Sequence, residues 1–135
     1  MRAGFTLTLL ALLHLTPAGL RAQDSAAFAN LTPVQADSLL AADSTVVILD
    51  VRTPEEFHSD SGHLRAALLI PVHQLEDRIA ELDPYRGKRI LAYCHSGVRS
   101  AKAAAMLARH GFDVLNMIGG IVRWNEDRLP VVQEP

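Results

Sequence analysis

The sequence predicts an α/β fold in which a mostly parallel central sheet of about five strands carries helices on both faces. Short apolar, β-branched runs alternate with segments of helical spacing, and two of those segments open on Thr-Pro. Asp50 and Cys94 both stand where predicted strands end, and open parallel sheets bind ligands beyond the carboxyl ends of their strands.

Phe28 to Leu31 reads as a short strand, and Thr32-Pro33 as an N-cap and first helical position for a helix running to about Ala42, anchored by Leu39 and Leu40. Val46-Val47-Ile48-Leu49, ending at Asp50-Val51-Arg52, has the pattern of a strand buried on both faces and is expected at the centre of the sheet. Thr53-Pro54-Glu55-Glu56 carries a capping box and starts a short helix, which Gly62-His63 interrupts. Ala66 to Ile70 reads as a further strand. Between Val72 and Leu82, the residues Val72, Leu75, Ile79 and Leu82 recur at helical spacing, predicting an amphipathic surface helix. Pro84, Gly87 and Lys88 turn the chain into the strand Ile90 to Tyr93. A helix from Ser100 to His110 follows, with Gly111 past its end, then a strand at Val114 to Met117. After a tight turn at Gly119-Gly120, Ile121 to Glu126 reads as a last helix that buries Trp124.

Length and composition limit the function classes. The 135 residues are 49% hydrophobic and 21% charged, which suits one globular domain. A formal net charge of −2 and the lack of any run of Lys or Arg argue against nucleic-acid binding. Met1-Arg2, the apolar stretch Phe5 to Leu15, and the small residues and Pro up to Ala22 follow the order of a secretory signal. The apolar part is shorter than the roughly 20 residues a membrane span needs. Residues 1–22 are therefore expected to be removed after Ala22, with Ala18 or Gly19 as alternative sites because Leu20 is bulky. Residues 23–27 form a tether, and 28–132 the domain, expected to be exported to the periplasm or secreted and to act as a monomer without lasting membrane insertion.

Export places the single cysteine in an oxidising compartment with no internal partner. Its surroundings suggest a reason. In Cys94-His95-Ser96-Gly97-Val98-Arg99-Ser100 a strand ends in Cys and turns through Ser-Gly into a helix, aiming backbone N–H groups and the positive helix end at the sulfur. Such donors favour thiolate over thiol and can hold an anionic substrate, so the sulfur is expected to be charged and open to solvent. The residues His95, Ser96, Gly97, Val98, Arg99 and Ser100 form the candidate binding loop around the nucleophile Cys94. Arg99 suits two compatible roles, orienting a substrate anion or bracing the loop against an acid. His95 can add positive charge or act as a base. Asp50 and Arg52 are supporting residues placed to brace the neighbouring strand end. His58, His63 and His73 lack ligand-like spacing, so no metal is expected.

Taken together, Asp50-Val51-Arg52-Thr53-Pro54-Glu55-Glu56-Phe57, Gly62-His63-Leu64, Ile70-Pro71, Tyr93-Cys94-His95-Ser96-Gly97-Val98-Arg99-Ser100, Gly111-Phe112 and Gly119-Gly120-Ile121-Val122-Arg123-Trp124 resemble a single-domain rhodanese over Phe28 to about Val131. The plan is similar to that of the small periplasmic members. The family's Pro-Gly-Ala and Asn are replaced here, where Arg65, Ala66 and Leu69 stand, and Arg65 could add positive charge near the mouth of the site. The resemblance implies thiosulfate sulfurtransferase activity without a cofactor. Cys94 would take a sulfane sulfur from thiosulfate or a persulfide and pass it to cyanide or a thiol, with a protein as possible donor or acceptor. The other readings are a non-catalytic sulfur-carrier module and an arsenate reductase or phosphatase. The spacing Cys-X4-Arg opposes the last, since those enzymes resemble Cys-X5-Arg with a longer loop around a tetrahedral oxyanion.

Overall fold

The computed structural model describes residues 27–134. Its sheet contains β1 (Ala29–Leu31), β2 (Val47–Asp50), β3 (Leu68–Leu69), β4 (Arg89–Tyr93) and β5 (Asp113–Met117), in the order β1-β5-β4-β2-β3. Every adjacent pair is parallel. The helices are α1 (Pro33–Ala42), α2 (Pro54–Phe57), α3 (Leu75–Arg78), α4 (Val98–Arg109) and α5 (Gly120–Glu126). Among the described residues, no helix is long and apolar enough to cross a membrane. The expected signal and most of the tether lie outside the described residues.

The Thr-Pro signals act as expected. The Thr32 hydroxyl accepts from the Gln35 N–H while the Gln35 side chain accepts from the Thr32 N–H, and Thr53 and Glu56 repeat the arrangement at the start of α2.

Burial divides across the sheet with the strand period of two. Ile90, Ala92 and Cys94 pack with Leu49 against Leu75, Leu82, Ala103, Ala104 and Leu107 on the α3/α4 face. Leu91 and Tyr93 pack with Met117 against Ala36, Ile121 and Trp124 on the α1/α5 face. Residues 90–93 are all fully buried, so β4 is the strand covered on both sides.

Several expectations are corrected. The central strand is β4, whereas β2 is one place from the edge and half-buried at Val47 and Ile48. The strand expected over Ala66 to Ile70 is reduced to the edge pair Leu68–Leu69, because Ala66 adopts a left-handed φ of 61°, which no strand accommodates. The amphipathic helix from Val72 is broken into a 3-10 turn (Val72–Gln74), α3 and a second 3-10 segment (Ile79–Tyr85). Spacing of three and four suits both helix types, and Pro84, which lacks an N–H, sits inside the last segment. Arg65 lines a cleft with Asp43, Val46 and Trp124 rather than with residues of the Cys94 loop, since the chain turns at Ala66. Helix α4 starts at Val98, two residues earlier than expected, because Gly97 is its N-cap.

Candidate active site

The end of β4 delivers Cys94 to the start of α4, and the intervening loop wraps the sulfur. The Gly97 N–H donates to Sγ at 3.1 Å, and the Ser100 N–H and hydroxyl each donate at 3.4 Å. Ser100 is fully buried on the first turn of α4, so its donors are held facing the sulfur. Burial pushes the Cys94 thiol up. The Ser100 hydroxyl, with the Ser100, Gly97 and Ser96 N–H groups, outweighs it, and the thiol sits below its ordinary value.

Two glycines make the loop possible. Gly97 has φ 99°, a conformation side chains resist, and a Cβ there would lie 3.0 Å from the Gly119 nitrogen. Gly120 touches the loop from behind, and a Cβ there would collide with the carbonyls of both Cys94 and His95. Those carbonyls accept instead from the first turn of α5, from Ile121 N–H at 2.9 Å and Val122 N–H at 3.2 Å. The loop therefore turns these carbonyl oxygens toward α5 while other N–H groups face the sulfur. The same closure explains a departure from expectation: Cys94 is 1% exposed, not open to solvent. His95, Ser96 and Val98 form the loop's exposed surface.

Asp50, the last residue of β2, stands opposite Tyr93 in register, Arg52 lies two residues beyond it, and both are fully buried. Arg52 Nη2 lies 2.7 Å from Asp50 Oδ2, and its guanidinium also donates to the Gly62 carbonyl at 2.8 Å and the Ser61 hydroxyl at 3.0 Å. It lies 5.5 Å from the centre of the Tyr93 ring, whose hydroxyl accepts the Leu64 N–H at 3.1 Å. The pair thus ties the β2 end to the Ser61–Leu64 segment beside the reactive strand.

Arg99 is half-buried and forms a two-pronged pair with Glu56, Nη2 to Oε1 at 2.6 Å and Nη1 to Oε2 at 2.8 Å. Hydrogen bonding to Arg99 holds the Glu56 carboxyl down at about 2, with burial opposing and the Thr53 N–H assisting. Glu56 is thus a site residue that sequence reasoning recognised only as a helix cap. Its spacing three residues past Thr53 marks the cap but carries no local sign of the pairing with Arg99, 43 positions away. Arg99 is anchored to α2, and its partial exposure leaves it within reach of solvent.

Comparison with known proteins places this architecture. The Rhodanese-like domain family matches residues 32–127. A protein named sulfurtransferase from Allochromatium vinosum is 37% identical over 94 residues, covering 69% of this chain and 84% of that one. A tRNA uridine(34) hydroxylase from Cytophaga hutchinsonii is 37% identical over 83 residues, 58% of this chain but 26% of the hydroxylase. The crystal structure of a rhodanese-related protein from Thermoplasma volcanium superposes with a TM-score of 0.71 at 28% identity, covering 79% of this chain and 100% of the other.

Proposed function

Because this chain belongs to the rhodanese-like family, we propose that it is a sulfurtransferase working through a persulfide on Cys94, with thiosulfate as one donor. The observation that carries the reading is the set of donors converging on Sγ from Gly97 and Ser100, which stabilises negative charge on that sulfur. The Cys94 thiolate attacks the outer sulfur of thiosulfate, a new S–S bond forms, and the old one breaks with its electron pair leaving on sulfite. The persulfide anion now carries its charge one atom further out. A thiolate or cyanide then attacks the outer sulfur, and the electron pair of the cleaved bond returns to Cys94.

Intact mass spectrometry of the full chain after mixing with thiosulfate tests this. A gain of about one sulfur atom that cyanide removes, absent in Cys94→Ser, is the expected result. An unmodified Cys94 in a folded protein would overturn it.

The carrier reading, in which a partner protein loads Cys94, draws support from the burial of the thiol and from relatives in which the matched region is a minor part of a longer enzyme. Loading from a protein persulfide but never from thiosulfate would favour it. Steady sulfite release with cyanide as acceptor would favour turnover. We further propose that the chain acts after export, on the signal-like order of Met1 to Ala22. Mature protein from the periplasmic or culture fraction should then begin at Gln23, whereas a cytosolic chain retaining its first residues would refute export.

A further inference from the structure

Four large hydrophobic side chains are exposed among the described residues, Val34, Val98, Ile118 and Val122, and they gather at the edge of the sheet that carries Cys94. Val98 belongs to the reactive loop. Val34, Ile118 and Val122 line a groove of about 740 Å³ between the first turn of α1 and α5, with His95 and Ser96 at one end and Glu126 at the other. Ser96 links groove and sulfur: it lines the former, and its N–H helps hold charge on the latter. Exposed apolar side chains are ordinary when scattered, but when gathered beside a reactive group they mark a binding surface.

We propose that this groove docks a protein sulfur partner, receiving an extended segment in which an apolar side chain neighbours the partner's cysteine and a Lys or Arg follows. The inference rests on the persulfide reading of Cys94 and names the acceptor. The burial of Cys94 admits only slender groups to the sulfur, so a protein acceptor must reach it by a narrow segment, and the groove receives what flanks its cysteine. Its charge selects the basic residue. Arg123 is neutralised by Asp127 at 3.1 Å, while the exposed Glu126 carboxylate at the same end is left to attract a cation. In the transfer, the partner's thiolate bonds to the outer sulfur of the Cys94 persulfide and the inner S–S bond breaks, its electron pair returning to Sγ. Sulfur moves with no net oxidation.

The test uses the full chain, loaded with thiosulfate, and three acceptors: free cysteine, a pentapeptide with Leu directly after its Cys and Lys two places after that Leu, and the same peptide with Glu for Lys. The Lys peptide should exceed free cysteine about tenfold in kcat/KM, the worth of burying one apolar side chain, and exceed the Glu peptide about threefold. Val34→Asp should remove the tenfold advantage and leave cyanide turnover unchanged. Glu126→Lys should invert the preference between the two peptides. Calorimetry with the Lys peptide carrying Ser in place of Cys reads docking without chemistry, and both variants should weaken that binding. If thiosulfate loads Cys94 but both variants leave peptide kinetics and binding unmoved, or if free cysteine matches the Lys peptide, the docking inference is overturned alone. Failure of thiosulfate to load Cys94 overturns the reading beneath it.

Discussion

Two arginine–carboxylate pairs flank the reactive loop, and they differ in the solvent each one sees. Asp50 and Arg52 are both 0% exposed, two residues apart in sequence, and enclosed by Gly62, Ser61 and Tyr93. Arg99 and Glu56 come from different helices and remain 35% and 32% exposed. A sealed pair must keep both members, since a buried charge without its partner is costly, whereas water can replace either member of the exposed pair. The inner pair is therefore a structural joint at the end of β2. The outer pair is open to solvent, which is the condition under which Arg99 would exchange Glu56 for a substrate anion.

The largest expected effect tests the inner pair. Arg52→Met should destabilise the fold by about 3–5 kcal/mol in urea unfolding, because the Asp50 carboxylate is left uncompensated. Adding Asp50→Asn to that variant should recover part of the loss, and no recovery would show the deficit to be one of packing. Next comes Arg99→Ala, which should lower stability by no more than ~1 kcal/mol while raising the KM for thiosulfate. Losses of stability and activity in proportion would make Arg99 a brace only.

The smallest effect is in pH. Glu56 titrates near 2 in the folded chain against 4.5 when unperturbed, so its contribution is fully present above about 4.5 and fades as pH falls toward 2. Melting temperatures of the native chain and Glu56→Gln should differ most above that window and converge at its acid end. A constant gap would mean that the carboxylate charge contributes nothing.

The contrast between the pairs also marks what the sequence made legible. Asp50 and Arg52 are two residues apart and both emerge at a strand end, so their association could be read directly, as could the two Thr-Pro caps and the turn from Cys94 into α4. The Glu56–Arg99 pair joins residues 43 positions apart, and nothing local in either segment announces the other. The same limit applies to strand order: β2 and β4 are both apolar runs, and only the crossovers decide which is central. Burial of the sulfur was missed because it depends on how α5 packs behind the loop. Spacing between Val72 and Leu82 misled because hydrophobic periodicity registers a buried stripe and is blind to which turn type presents it.

The contact between Gly120 and the loop has a wider consequence. A peptide unit has two edges of opposite sign, C=O on one and N–H on the other, and at Cys94 and His95 the oxygen edge is engaged by the amides of Ile121 and Val122. Rotating either plane by half a turn would break that engagement and could present an oxygen, and so repulsion, to a thiolate. Residue 120 thus governs the electrical sense of a loop lying 20 or more positions earlier. Any bulkier side chain placed there would disarm the sulfur without ever approaching it.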